Sequence, residues 1–331
     1  SMTQFDKNPD WNGAVSAINN AESVLLIAHV SPDADALGSA LAIGLGLEKL
    51  GKKVQVSVGE PGFGVPDSLR VLPGKHLVVA PENLAPVDLV ISCDTSSDER
   101  LGVLADLMHS APISIAIDHH PSFTGFGTLH LVDPDAAATA ELALELIDLL
   151  GVALDKEIAS AIYAGLATDT GSFRFNTTST HTFQLATRLM EYGIDHATLA
   201  RELFDTESLG ALRMLGEAMV RAVLVPEAIG GQGLVYTSIA QDQRHGLEEL
   251  AMERVVDVLR RAQDAEVACV FKQGDDGIWK GSLRSRTSFD VGAVATILGG
   301  GGHTYAAGYT GHENLNQMVL ELQNALMQVH G

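Results

Sequence analysis

Residues 23–29 (SVLLIAH), 87–93 (VDLVISC) and 113–117 (ISIAI) are near-continuous apolar runs of strand length, and 53–58 (KVQVSV) reads as a further strand. Between the first two, 36–50 (ALGSALAIGLGLEKL) has helical periodicity and stops at Gly51; two more helical patterns come at 136–150 and 155–167. Strands that are apolar on both faces and alternate with helices predict a parallel sheet covered on both sides. From 179 to 222 the pattern is helical, in three pieces: THTFQLATRLMEYG, DHATLARELF and ESLGALRMLGEAMVRA. After VPEAIGGQG the texture changes. Residues 233–240, 266–273 and 278–286 are strand-like, with helices at 247–262, 290–298 and 314–328. The expected architecture is therefore α/β: a parallel-sheet domain over 1–200, a helical connector over 201–224, and a smaller α/β domain over 225–331. A length of 331 residues independently favours two domains over one.

Composition narrows the class. Hydrophobic residues make up 46% of the chain, yet no apolar run approaches the ~20 residues of a membrane helix, so a soluble globular protein without a membrane partner is expected. The N-terminal region carries Asp6, Lys7 and Asp10 where a signal peptide would have a basic segment and then an apolar one, and Ser1 ahead of Met2 looks like a scar of tag removal. Cys93 and Cys269 lie far apart, each inside an apolar run, which predicts buried thiols in a reducing cytoplasm. Twenty-one Lys and Arg against 42 Asp and Glu give a net charge of −21. Proteins that track long nucleic acid offer a basic stripe; here the cations are scattered, with pairs only at Lys52–Lys53 and Arg260–Arg261. An anionic substrate should be small and held by a few placed cations or by metal, and no long nucleic acid is expected as partner.

Candidate chemistry sits at the strand ends. The first strand runs into AHVSPDADALGS, with His29, Asp33 and Asp35. The 87–93 strand runs into CDTSS, with Asp94, and the 113–117 strand into Asp118, His119 and His120; GLATDTGSFRF adds Asp169. Taken singly, each segment is equally well a polar turn, and Asp35 is placed to cap the 36–50 helix. In a parallel sheet, however, these ends converge on one edge. Carboxylates crowded there raise one another's pKa and cost folding energy. Divalent cations resolve the conflict: four carboxylates balance two ions, and an oxygen-rich set with some imidazole suits Mn²⁺ or Mg²⁺ better than a thiolate zinc site does. Two such ions polarise a phosphoryl oxygen and generate hydroxide at neutral pH.

HVSPDADALGS, CDTSS, DHH and ATDTGSFRF resemble, in order, the four signature segments of the DHH phosphoesterases. That group includes RecJ-type exonucleases, NrnA-type oligoribonuclease/phosphatases and cyclic-di-AMP phosphodiesterases. SLRSR and DVGAVATILGGGGHTYAAG resemble its C-terminal DHH-associated domain, so the resemblance covers nearly the whole chain. It implies two Mn²⁺, with Mg²⁺ as alternative: His29, Asp33 and Asp94 at one, Asp35, Asp94, His119 and Asp169 at the other, and Asp94 as bridge. Asp118 would orient a histidine, and His120 would face the substrate or act as acid.

The GGGGH segment at 299–303 comes after a helix and can begin another; its glycine amides can close on an oxyanion, although a flexible turn is the plainer reading. Arg284 offers a fork for phosphate, or else a surface salt bridge. The expected substrate-binding set is Arg284, Ser285, Gly301, Gly302 and His303, gripping the far end of the substrate from the second domain, with the active site in the cleft between domains. GLGLEK lacks the Walker signature, Ser39 lies in no nucleophile elbow, and no cysteine cluster is present. The expected function is hydrolysis of cyclic-di-AMP and its linear dinucleotide, short RNA, or 3′-phosphoadenosine 5′-phosphate to 5′-mononucleotides. Compact length and acidity disfavour a RecJ-type exonuclease, the GGGH tail disfavours a pyrophosphatase, and the filled ligand positions disfavour a catalytically silent nucleotide sensor. A homodimer is also expected, on no residue in particular.

Overall fold

The computed structural model describes residues 8–247, 249–311 and 314–331; Ser1, Met2, Asp6 and Lys7 lie outside them, as does position 248 of the helix expected at 247–262. The chain divides into two compact units, Ser1–Thr206 and Glu207–Gly331. The division falls inside the expected connector.

The first unit runs α1 (Trp11–Asn20), β1 (Ser23–Ala28), α2 (Ala34–Lys49), β2 (Lys53–Val58), β3 (Leu89–Cys93), α3 (Ala105–Ser110), β4 (Ser114–Asp118), β5 (Leu129–Val132), α4 (Thr139–Leu149), α5 (Lys156–Asp169), α6 (Thr180–Met190) and α7 (His196–Phe204). Its sheet has the order β2-β1-β3-β4-β5 with every pairing parallel. The three central strands therefore end side by side, and the residues just beyond their C-terminal ends meet at one edge of the sheet. β3 and β4 are buried along their length, as their apolar sequences require. Helix α2 is buried from Ala34 to Leu47, packed against α4 and α5 as well as the sheet. Small residues permit that approach: a Cβ on Gly38 would lie 2.8 Å from the Ala161 carbonyl oxygen, and one on Gly165 would lie 3.0 Å from Asp35 Oδ1. Glycine at 165 thus keeps α5 close enough to place its C-terminal Asp169 beside Asp35.

The second unit runs α8 (Leu209–Val220), β6 (Val223–Val225), α9 (Ala228–Gly231, a single irregular turn), β7 (Leu234–Ile239), α10 (Glu249–Leu259), β8 (Val267–Gln273), β9 (Trp279–Ser285), α11 (Val291–Ile297), β10 (Gly301–Gly302), β11 (Ala306–Thr310) and α12 (Leu315–His330). Its sheet has the order β10-β11-β9-β8-β7-β6, parallel only at β7–β8. Met214 and Ala218 of α8 pack with Met252, Val255 and Val256 of α10 on one face; Val291, Val294, Met318 and Leu322 cover the other. Both cysteines are free and buried. Among the described residues no helix is long and apolar enough to cross a membrane.

Two expectations are corrected. The residue that caps α2 is Asp33, whose Oδ1 accepts the Ala36 amide at 2.8 Å; Asp35 lies inside the first turn and points elsewhere. The glycine segment begins no helix. It forms β10, which turns back antiparallel on β11. The close approach of these strands is itself a demand for glycine, since a Cβ on Gly300 would lie 2.1 Å from the Gly308 oxygen and one on Gly302 2.5 Å from Ala307 Cα.

Candidate functional site

His29, Asp94 and the Asp118-His119-His120 triplet stand at the ends of β1, β3 and β4, and Asp33 and Asp35 come from the start of α2. Asp94 is the centre. Its Oδ2 lies 3.7 Å from His29 Nε2, which is itself 3.7 Å from Asp33 Oδ1. Its Oδ1 faces the other way, 3.5 Å from His119 Nε2; that nitrogen is 3.0 Å from Asp169 Oδ2 and 3.7 Å from Asp35 Oδ2. One carboxylate thus addresses two clusters with different oxygens. Asp94 holds a left-handed backbone conformation, φ +62°, while its amide continues the ladder to the Ile117 carbonyl at 2.8 Å. A non-glycine residue in that region is strained, and such strain is characteristic of sites where a side chain must be aimed.

Three groups have donor atoms within 4.8 Å of one another and can hold a cation: His29, Asp33 and Asp94; Asp35, His119 and Asp169; and Asp94, His119 and His120. The donor chemistry fits divalent metal. His29 Nδ1 lies 2.7 Å from the Val30 carbonyl oxygen and His119 Nδ1 lies 3.1 Å from that of Ala136. A carbonyl can only accept, so each Nδ1 carries the proton and each Nε2 presents its lone pair inward, the arrangement of metal-binding imidazoles.

Without a cation the cluster is electrostatically costly. Burial, and behind it the charges of Asp169 and Asp33, pushes the Asp35 carboxyl well above its ordinary range. Burial and the charges of Asp35, Asp33, Asp169 and Asp118 do the same to Asp94. Burial alone would lower the His119 pKa, but the hydrogen bond and charge of Asp169, with Asp35 and Asp118 behind, raise it to about 10. All three groups bind protons more tightly folded than unfolded, so each favours the fold at low pH and loses that contribution as pH rises. The His119 contribution is complete below 6.5 and lost through about 10. Chelated protein should therefore lose thermal stability as pH rises from 6.5 to 10, while saturating divalent metal flattens or reverses the trend; denaturation scans across that range check it.

Asp118 is fully buried; its Oδ1 lies 2.5 Å from His120 Nδ1, and its Oδ2 is buried without a hydrogen-bond partner. The histidine it orients is therefore His120, whose Nδ1 also lies 3.7 Å from Asp94 Oδ1. Two further residues belong to the site and went unread in the sequence. Thr139, at the start of α4, donates its hydroxyl to Asp94 Oδ1 at 2.9 Å, and its amide, with that of Ala140, donates to the Asp35 carboxylate at 3.0 and 2.9 Å. Arg100 brings a guanidinium nitrogen 3.0 Å from His29 Nδ1. A lone Thr in DAAATAE and a lone Arg in SDERLG carry no local signal for either position.

The five substrate-binding candidates gather at one end of the second sheet. Arg284 pairs with Ala306 across β9–β11, the Ser285 amide bonds the Tyr305 carbonyl, and the His303 amide bonds that of Ala306. Gly301 and Gly302 are exposed. The open cradle of glycine amides is not what forms: the amides of Gly299 and Gly300 bond Thr296 and Ala295 at the end of α11. Ser285 is buried, its hydroxyl without a hydrogen-bond partner. Arg284 meets Glu253 Oε2 at 3.3 Å and Asp257 Oδ1 at 3.5 Å, both from α10. Glu253 also bonds Lys272 and, at 3.2 Å, Ser282. The salt-bridge reading of Arg284 is therefore part of the structure, and the guanidinium is oriented by two carboxylates.

Residues 23–166 match the DHH family, N-terminal domain, and residues 231–328 the DHHA1 domain. The chain is 35% identical over 290 residues to the bifunctional oligoribonuclease and PAP phosphatase NrnA of Thermus thermophilus, covering 87% of this chain and 83% of that protein. It is 28% identical to the Bacillus subtilis protein of the same description, over 89% and 91% of the two chains. Cyclic-di-AMP phosphodiesterase PdeA of Listeria monocytogenes is 28% identical over 86% of this chain but only 44% of its own length. Among solved structures, an exopolyphosphatase-related protein from Bacteroides fragilis shares the fold, with a TM-score of 0.86, 24% identity, and coverage of 97% and 96%. Sequence motifs, a five-stranded parallel sheet with its histidine and aspartate clusters, and kinship to NrnA over most of both chains together make this chain a member of the DHH phosphoesterase family, with a DHHA1 domain in its second unit.

Proposed function

We propose that the protein is a dinuclear, Mn²⁺-dependent phosphodiesterase and phosphatase that converts small nucleotides to 5′-mononucleotides. His29, Asp33 and Asp94 hold one ion, and Asp35, Asp94, His119 and Asp169 the other. The observation that carries this reading is the opposed use of the two Asp94 oxygens, one toward each cluster. A bound pair of divalent cations supplies charge neutralisation, polarisation of phosphoryl oxygens and acidification of water at neutral pH. The protein's own contributions are geometric. Thr139 fixes the rotation of the Asp94 carboxylate, and the α4 amides hold Asp35. Asp118 holds His120 by Nδ1, leaving Nε2 as the atom that gives a proton to the leaving oxygen. Buried thiols at Cys93 and Cys269 fit a reducing cytoplasm.

The relatives are described as acting on oligoribonucleotides, on PAP and on cyclic-di-AMP. We take all three as candidate substrates, together with the linear dinucleotide. A net charge of −21 and scattered cations favour such small anions over long polymers. Arg284, Ser285, Gly301, Gly302 and His303 supply contacts to a phosphate that is not being cleaved. Turnover of a panel of cyclic-di-AMP, linear dinucleotide, short RNA and the 3′,5′-bisphosphate, with Mn²⁺, tests the reading; no hydrolysis of any member would overturn it. Within the panel, Arg284→Ala should raise KM for dinucleotides by roughly 10-fold or more, the worth of a charge-assisted contact. The loss should be smaller on bis-p-nitrophenyl phosphate, which has no second phosphate. An equal loss on both would place Arg284 at the reacting phosphorus.

A further inference from the structure

Arg100 stands out among the cations of the first unit. It belongs to a short 3₁₀ segment, Asp98–Leu104, beyond β3. Its backbone is fixed to the end of β1, with the Val30 amide bonded to the Arg100 carbonyl at 2.8 Å, and its own amide bonded to Ser97 at 3.1 Å. The segment is also clamped to the end of β2: a Cβ on Gly59 would lie 1.9 Å from the Leu101 oxygen, and the Val103 amide bonds the Gly59 carbonyl at 3.1 Å. The side chain emerges from this rigid base into solvent beside the His29–Asp33–Asp94 cluster.

Its partner is peculiar. Arg70 and Arg188 of the same unit each meet a carboxylate within 3.0 Å, and Arg174 is spent on the Gly171 carbonyl. Arg100 sits at the rim of a strongly acidic site, yet among the described residues no carboxylate lies within ion-pair distance of it. What it meets is His29 Nδ1, at 3.0 Å. A guanidinium only donates, and so does Nδ1 when it serves the Val30 carbonyl at 2.7 Å. The two contacts exclude each other. In the ring tautomer that leaves Nε2 bare for a cation, Nδ1 is spent on Val30 and the Arg100 fork faces a donor. It is then a rigidly based positive fork at the edge of the site, and among the described residues its guanidinium has no carboxylate partner to hold it.

We propose that Arg100 binds the phosphate under attack, through a non-bridging oxygen, beside the cluster of His29, Asp33 and Asp94. The inference rests on the metal-centre reading above, and it assigns the reacting phosphate a protein-borne cation distinct from Arg284. Planar, bidentate donation is what guanidinium offers phosphate and ammonium does not.

The test is binding rather than turnover. Wild type, Arg100→Ala and Arg100→Lys are saturated with Mn²⁺ and titrated with inorganic phosphate by calorimetry, with Mn²⁺ affinity measured separately for each. Arg100→Ala should keep Mn²⁺ affinity within about twofold and lose phosphate affinity by about 10-fold or more; Arg100→Lys should recover part of that loss. A parallel fall in Mn²⁺ affinity would overturn the proposal and reduce Arg100 to a positioning residue for His29. Unchanged phosphate affinity in the alanine variant, or no phosphate binding by Mn²⁺-loaded wild type, would overturn it as well. If wild type binds phosphate through Arg100 but hydrolyses no nucleotide, the proposed activity fails and the Arg100 assignment stands.

Discussion

Replacing Asp94 with alanine should lower kcat/KM by on the order of 10³-fold or more and weaken metal binding at both clusters together, beyond the ~10–100-fold typical of an outer-shell partner. The reason is geometric. Asp33 can serve one cluster only, as can Asp35 or Asp169, but the two oxygens of Asp94 face different sets of donors. The backbone at Asp94 is held left-handed to achieve this, and its carboxylate receives the Thr139 hydroxyl. Asp118→Asn provides the contrast. Asp118 contacts His120 and stands outside the three groups able to hold a cation, so its loss should cost ~10–100-fold, mainly in kcat, with metal affinity nearly intact. Metal titration and steady-state kinetics of the two variants distinguish the roles. If Asp94→Ala retains one tight site while Asp118→Asn loses both, the assignments are reversed.

Chelation should abolish turnover of every substrate and lower the melting temperature of the first unit, and Mn²⁺ should restore both. The buried carboxyls of Asp35, raised by burial and the charges of Asp169 and Asp33, and of Asp94, raised by burial and the charges of Asp35, Asp33 and Asp169, make the metal-free fold the strained one. An ion present at a hundredfold excess over its Kd adds ~2.7 kcal/mol to the state that binds it. For a unit of this size that corresponds to roughly 5–10 °C per ion. The second unit, where the Arg284–Glu253–Lys272 network is paired without metal, should melt at an unchanged temperature. Calorimetric scans with and without chelator track the two transitions. Undiminished turnover after exhaustive chelation would exclude the dinuclear mechanism.

How far the sequence carries can be seen residue by residue. The β1, β3 and β4 runs and the long α2 pattern were legible because both faces of the central strands and nearly all of α2 are buried, so hydrophobicity was continuous and the strand ends easy to locate. β5 and β11 were not. LHLV is four residues long and half-buried, and AAGYT is mostly alanine and glycine, so neither shows a period. Asp35 directly precedes the 36–50 pattern and reads there as its cap, so the true partner of its carboxylate was not legible. That partner is α4, whose amides claim Asp35, and that is a long-range contact no local pattern encodes. Likewise Glu253 and Asp257 are four apart and visibly share a helix face, but that this face meets Arg284 depends on how α10 packs on the second sheet. The histidine and aspartate cluster was the most legible part because topology did the work: adjacent parallel strands bring the residues beyond their ends together whatever their separation in sequence.

The most direct test of the central claim is the number of Mn²⁺ ions bound per chain and their magnetic interaction. We expect titration to give two ions per chain, with turnover rising as the second site fills, and electron paramagnetic resonance of the filled protein to show spin-coupled manganese, as a shared Asp94 carboxylate requires. One ion per chain at full activity, or two ions giving only the signal of isolated Mn²⁺, would contradict a centre bridged by Asp94.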